Sequence, residues 1–266
     1  MTKNNLKHLK TWFTEYVSGF YSDDPDYNHL IRLKEEHTIR VCCNIAMLGK
    51  ELGITEHEMV LAETMALFHD IGRFKQYAKY HTFNDFVSEN HARLGLRQMA
   101  IHGVLSACTT AEKRLITRAI AYHNAALLPA NEDDNTLFFM RLIRDADKLD
   151  IWKLFIDYCK EREKNHSSAI ELGLPDDPVY SQRVIESLKQ RRLVLMQDLK
   201  TLNDFKLLQI GWVYDLNFVP SFQAVQNRKY IEKLEETLPQ SKEIKEAVQQ
   251  AHDHVNSFLL LSIKNG

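Results

Sequence analysis

An apolar helical run, Met65-Ala66-Leu67-Phe68, ends in two adjacent side chains of metal-ligand type, His69 and Asp70, and is followed by Ile71-Gly72-Arg73-Phe74. Imidazole nitrogen and carboxylate oxygen together suit a borderline divalent cation, and neighbouring positions present both where a helix ends. Gly72 then lets the chain turn away. The pair alone decides little, because a second one, His252-Asp253, lies in a polar C-terminal helical pattern without matching partners. The first pair stands out by its company: His37, His91, His123 and Asp147 each fall on or beside a helical apolar pattern.

The rest of the chain is compatible with long helices and little else. Only 9 glycines and 6 prolines occur in 266 residues, too few breakers for a meander of short strands. The length allows one large domain, or one domain with an extension. A net charge of −2 leaves no electrostatic footprint for bulk nucleic acid. The basic cluster Lys189-Gln190-Arg191-Arg192 reads as a solvated helix face. Cys42, Cys43, Cys108 and Cys159 form no C-x-x-C pair, a usage that suits reduced thiols. No signal-peptide core is present, and no apolar run nears the roughly 18 residues that span a bilayer. A cytoplasmic protein without membrane contact is expected, and a homo-oligomer is compatible with the sequence.

In chain order, a leading helix over residues 5 to 21 carries an aromatic stripe. Asp23-Asp24-Pro25 caps a second helix running to about Leu52, with His37, Val41, Ile45 and Leu48 on one inward face. Thr55-Glu56-His57-Glu58 is a capping box opening the helix that ends at His69-Asp70. Residues Arg73 to Val87 read as a loop, and Ser88 as the cap of the helix bearing His91. Thr109-Thr110-Ala111-Glu112 opens a helix whose buried stripe ends at His123. Asp133 or Asp134 caps a strongly apolar helix on which Asp147 follows Ile143 by four and Met140 by seven. A carboxylate on that stripe costs several kcal/mol unless a cation compensates it. Asp145 and Asp150 fall on other faces and read as solvated. The pattern breaks around Asn165, dividing a core over residues 1–165 from a helical extension over 166–266.

The ordered His37, His69-Asp70 and Asp147, in this helical context, resemble the HD superfamily of metal-dependent phosphohydrolases over roughly residues 25 to 150. The resemblance implies an all-α HD-domain bundle with a C-terminal helical extension. It implies that His37, His69, Asp70 and Asp147 hold one metal. In six-ligand members the aspartate of the pair bridges to a second metal bound by two later histidines, here His91 and His123. The chain lacks the Gly-Tyr-Pro triplet of the HD-GYP cyclic-dinucleotide phosphodiesterases, which argues against that branch.

Two cations about 3.5–4 Å apart acidify a water and clamp phosphate oxygens, so hydrolysis of a small phosphorylated molecule, such as a nucleotide, is the expected chemistry. Histidine-rich ligation suits one or two ions of manganese, iron, zinc, cobalt or nickel. Arg73 pairs with a substrate phosphate or is a surface cation at a helix end. Lys148 lends charge to the site or orients Asp147, and His81 is a proton donor or loop surface. The same six ligands also fit an HD-type di-iron oxygenase, and a non-catalytic metal- or nucleotide-binding regulatory module is the third reading. The two His-Asp pairs separate by elemental analysis: Asp70→Ala is expected to strip bound metal, whereas His252→Ala and Asp253→Ala leave the metal content of the purified protein unchanged.

Overall fold

The computed structural model describes residues 1–163 and 166–265. Among the described residues the chain is helical, with no strand. It forms two compact units, Met1–Asp150 and Ile151–Gly266. The division falls inside one continuous helix, Asp134–Glu161, because an apolar helix carries no sequence mark where its neighbours change. Lys164 and Asn165, at the boundary expected from the sequence pattern, lie outside the described residues.

The first unit is built from α1 (Lys3–Ser18), α2 (Pro25–Glu51), α3 (Glu56–Phe68), α4 (Ile71–Tyr80), α5 (His91–Ile101), α6 (Thr110–Tyr122) and the first part of α7 (Asp134–Glu161). Helix α3 is apolar nearly all round, and from Val60 to Phe68 only Glu63 is not buried. A helix of that kind must be surrounded, and α1, α2 and α6 pack on it. Its start is set by Thr55 and Glu58, whose side chains satisfy each other's backbone N–H groups. The same device, Thr109 with Glu112, starts α6. Asp24 caps α2 by accepting from the N–H groups of Asp26 and Tyr27, with Pro25 at the first helical position. The stripe Leu30, His37, Val41, Ile45 and Leu48 of α2 is buried as its spacing requires. His57 remains largely exposed, and His102 packs its ring against Trp12 and Tyr16.

Two local expectations are corrected. Residues 71–80 form α4, not the start of a loop, because Ile71, Phe74 and Tyr77 bury one face at helical spacing while Lys75 and Lys79 stay outside. Gly72 therefore does not release the chain into a turn. It lies within α4, where an added Cβ would sit 2.1 Å from the His91 carbonyl oxygen and 2.6 Å from the Gly95 nitrogen. Its missing side chain is what lets α4 and α5 touch backbone to backbone. The cap of α5 is Asn90, which accepts from Arg93 N–H. Ser88 instead donates to the Asn84 carbonyl and accepts from Gln76.

The second unit comprises the end of α7, then α8 (Gln182–Lys189), α9 (Leu202–Gly211), α10 (Val219–Arg228), α11 (Tyr230–Glu235) and α12 (Lys242–Asn265). Helix α12 packs against α8, α9, α10 and α11. Trp152 is fully buried here between Trp212 and Tyr230, and its indole N–H donates to the Gln209 carbonyl at 3.0 Å. The four cysteines are free thiols, and no described helix is long and apolar enough to cross a membrane.

Gly72→Ala tests the close approach. Helix propensity alone would make alanine stabilising by about 1 kcal/mol. Collision with the α5 backbone should reverse the sign to a loss of about 1–3 kcal/mol, read from the urea midpoint.

Candidate metal centre

Three helix ends and the inward faces of two long helices of the first unit deliver six side chains to one place. His69 is the C-cap of α3, with Asp70 directly after it, and His123 is the C-cap of α6. His91 opens α5, His37 comes from the inward face of α2, and Asp147 comes from α7. His37, His69, Asp70, His91 and His123 are buried, and the Asp147 side chain is 14% exposed. Three overlapping triads, His37–His69–Asp70, His69–His123–Asp147 and Asp70–His91–His123, each bring their ligand atoms within 4.8 Å of one another.

The histidines are oriented by what their outer nitrogens meet. His69 Nδ1 lies 2.7 Å from the Ala66 carbonyl, and His123 Nδ1 lies 2.7 Å from the Ile120 carbonyl. His37 Nδ1 is 2.7 Å from Asp150 Oδ2, and His91 Nδ1 is 2.7 Å from Asp85 Oδ2. Carbonyls and ionised carboxylates only accept, so every Nδ1 carries a proton that it donates. In the neutral ring each Nε2 is then a bare lone pair, and all four point inwards. His69 Nε2 lies 3.3 Å from His37 Nε2, and His91 Nε2 lies 3.0 Å from His123 Nε2. Asp70 sits between these couples. Its Oδ1 is 3.3 Å from His91 Nε2 and 3.9 Å from His123 Nε2, while Oδ2 is 3.5 Å from His37 Nε2 and 3.9 Å from His69 Nε2. Asp147 Oδ1 faces His37 at 3.2 Å and His69 at 3.5 Å, buried and without an aligned hydrogen-bond donor. Facing lone pairs and buried anionic oxygens repel one another unless positive charge lies among them. The donor set therefore fits divalent metal.

The ionisation equilibria reflect the same demand. Burial would raise the pKa of Asp70, but the charges of Lys34, Arg73 and the histidines hold it well below the usual carboxylate range. Burial likewise opposes ionisation of Asp147, and its contacts with His37 and His69 outweigh it. Burial, with His91 and His69 nearby, pushes His123 down to about 3. Burial and Arg73 lower His91. His37 moves the other way: burial and Lys34 disfavour its charge, yet Asp147 and Asp150 raise its pKa on balance. The carboxylates thus select a proton at His37 where no larger cation is present.

Asp150 is not solvated as its place in the sequence suggests. It is buried on α7, accepting from His37 and from Arg40 Nε at 2.7 Å. Asp145 is buried as well. Both lie on an amphipathic count that assumes one apolar face, whereas α7 is enclosed along Phe139 to Asp150 except at Arg141 and Asp147. Arg73 is no surface cation: Nη1 donates to Gln76, to the Phe83 carbonyl and to Asp85 at 3.0 Å, and Nε lies 3.4 Å from Asp70 Oδ1. Lys148 is buried beside Asp147 in sequence. His81 is exposed in the left-handed cap of α4, its ring against Tyr27 and Tyr77. His252 and Asp253 join no ligand cluster among the described residues.

Sequence reasoning missed three participants. Asp85 accepts from His91, Arg73 and Gln76, and the hydrogen bond from His91 leads the effects that bring its pKa down to about 2 against burial. Asp150 does the corresponding work for His37. Lys34 donates to Asp70 Oδ2 at 2.8 Å. Only Lys34 leaves a signal in the sequence, as a lysine three residues before His37 on a stripe otherwise apolar.

A helical unit that converges four imidazoles and two carboxylates has the donor set of a divalent metal site. The HD domain family model matches residues 35–152, and the chain carries an HD domain over that segment. Comparison with curated proteins and with solved structures returned no match. The HD domain is a fold of metal-dependent hydrolases whose members bind divalent metals.

Because metal must displace the proton held by His37, whose pKa is raised above 6.5, metal affinity should rise about tenfold per pH unit below that pKa and level off above it. Asp150→Asn removes one of the two carboxylates that raise His37. It should flatten this dependence and weaken binding about 10- to 100-fold, measured by calorimetry at pH 5.5–7.5 or thereabouts.

Proposed function

We propose that the protein is a metal-dependent phosphohydrolase acting on a small phosphorylated molecule, with a nucleotide among the candidates. The observation that carries this reading is the two-sided Asp70, each oxygen facing its own pair of inward-pointing imidazole Nε2 atoms. His37, His69, Asp70 and Asp147 would hold one divalent ion, and Asp70, His91 and His123 a second. Bound there, the ions supply Lewis-acid polarisation of a phosphoryl oxygen and lower the pKa of a water.

The chain's own residues then define the rest. Each outer Nδ1 proton is committed to a fixed acceptor, so the rings hold their orientation and do not exchange protons with substrate. The outer environments of the two halves are matched: one histidine of each couple leans on a carboxylate paired with arginine, and the other on a helix-end carbonyl. Asp147, Asp85, Lys34 and Arg73 are the partly exposed side chains around the cluster, so it meets solvent on their side. On that rim Lys34 and Arg73 balance Asp147 and Asp85, and divalent ions held by the cluster would make it net positive, which favours an anionic substrate.

The test is a panel of phosphomonoesters and phosphodiesters with protein loaded separately with manganese, zinc, cobalt, nickel and iron. Metal-dependent release of phosphate or alcohol, lost in Asp70→Ala, is the expected result. Four imidazoles with two carboxylates also suit a di-iron oxygenase, so oxygen uptake is recorded in the same iron-loaded samples. Substrate-dependent uptake without phosphate release would replace hydrolysis by oxygenation. A metal-dependent rise in melting temperature with no turnover would leave a regulatory module.

A further inference from the structure

The two cations at Asp70 differ in freedom. The Arg73 Nη1 group is shared by three acceptors, Gln76 Oε1, the Phe83 carbonyl and Asp85 Oδ1. It ties α4 to the loop that carries Asp85, and through Asp85 it fixes His91. Its Nε has no aligned acceptor, but with Nη1 so engaged the guanidinium cannot swing to a ligand without loosening His91. Lys34 is held differently. Its ammonium has three N–H donors, and among the described residues its hydrogen-bond acceptor is Asp70 Oδ2 alone, at 2.8 Å. The charge also lies 5.4 Å from the Phe83 ring centre, a weak and non-directional support. Lys34 is one turn before His37 on α2, so the two side chains share a face. Its side chain is 13% exposed, close to the 14% of Asp147, which places it at the open edge of the cluster. It also lies one residue before the segment that matches the HD domain.

We propose that Lys34, not Arg73, is the residue that binds the phosphoryl oxygens of the substrate, and that Arg73 is a positioning residue for Asp70 and the Asp85 loop. This rests on the phosphohydrolase reading above. The physical reason is competition for Asp70. The ion pair of Lys34 with Oδ2 is strong while that oxygen keeps its charge. Cations on the same carboxylate share that charge and repel the ammonium, so Lys34 loses its partner as the site fills. A tetrahedral oxyanion arriving at the rim restores one, with donors to spare on the same nitrogen.

Two consequences of opposite sign follow, and a purely structural lysine would produce neither combination. Removing the charge relieves repulsion at the metal site, so Lys34→Met in the full chain should bind manganese more tightly than wild type. The same change removes a charge-assisted hydrogen bond to the anion, so inorganic phosphate should bind the manganese-loaded variant about 10- to 100-fold more weakly. Lys34→Arg should keep both properties near wild type, and Lys34→Gln, which is neutral but polar, should follow Lys34→Met if the latter folds poorly. Calorimetry measures both affinities, with the melting temperature as a check on folding. Equal phosphate affinity in wild type and Lys34→Met, or weaker manganese binding in Lys34→Met and Lys34→Gln, would overturn the assignment of Lys34 alone. Wild-type protein that binds manganese but not phosphate would overturn the hydrolase reading and this inference with it.

Discussion

Everything in the first unit depends on how four imidazole protons are disposed of. Two are given to carbonyls in the last turns of α3 and α6, Ala66 and Ile120. The other two go to carboxylates, the buried Asp150 and the partly exposed Asp85. Once the outer nitrogens are satisfied, the inner ones of the neutral rings can only accept, and His37 is the ring whose pKa is raised. Four acceptors and the oxygens of Asp70 and Asp147 then face one another in a buried space, an arrangement stable only around positive charge. The chain supplies part of it through Lys34 and Arg73 beside Asp70, and the remainder defines what the site takes from solution.

Backbone geometry sets the precision of this arrangement. His69 and His123 hold the same place in their helices, at the C-cap, so one local rule orients both rings towards a carbonyl three residues back. His91 depends on tertiary contact instead. It lies on α5, which meets α4 at Gly72, and its ring leans on Asp85 from the intervening loop. Arg73, one residue past Gly72, closes that circuit by holding Asp85. Packing of two helices, the order of a loop and the aim of the His91 ring are therefore one cooperative feature. A change at any of its members should be felt at the others.

The helical architecture was legible because its signals are local. Threonine–glutamate capping boxes at Thr55 and Thr109 and the Asp24-Pro25 start mark helix beginnings by hydrogen bonds within one turn. The stripe on α2 needs only a period of 3.6. Reading failed where one residue type serves two purposes. A glycine after a helix ordinarily marks an exit, but Gly72 answers to the α5 backbone some twenty positions on, which no local pattern records. Aspartates at Asp145 and Asp150 look solvated on a helix assumed to have a wet face, and α7 offers almost none there.

By itself the chain determined that helices would form, roughly where they begin, and that His37, His69, Asp70, His91, His123 and Asp147 would end or line buried stripes, since each of these follows from spacing along one helix. Only the tertiary structure decided that the six meet, that Asp70 presents one oxygen to each pair of rings, and that Asp85, Asp150 and Lys34 complete the surroundings. Those relations join residues up to 113 positions apart, as His37 and Asp150 are. Charge and proton balance among such residues exist only once folding has brought them within a few ångströms, where Coulomb energies become large.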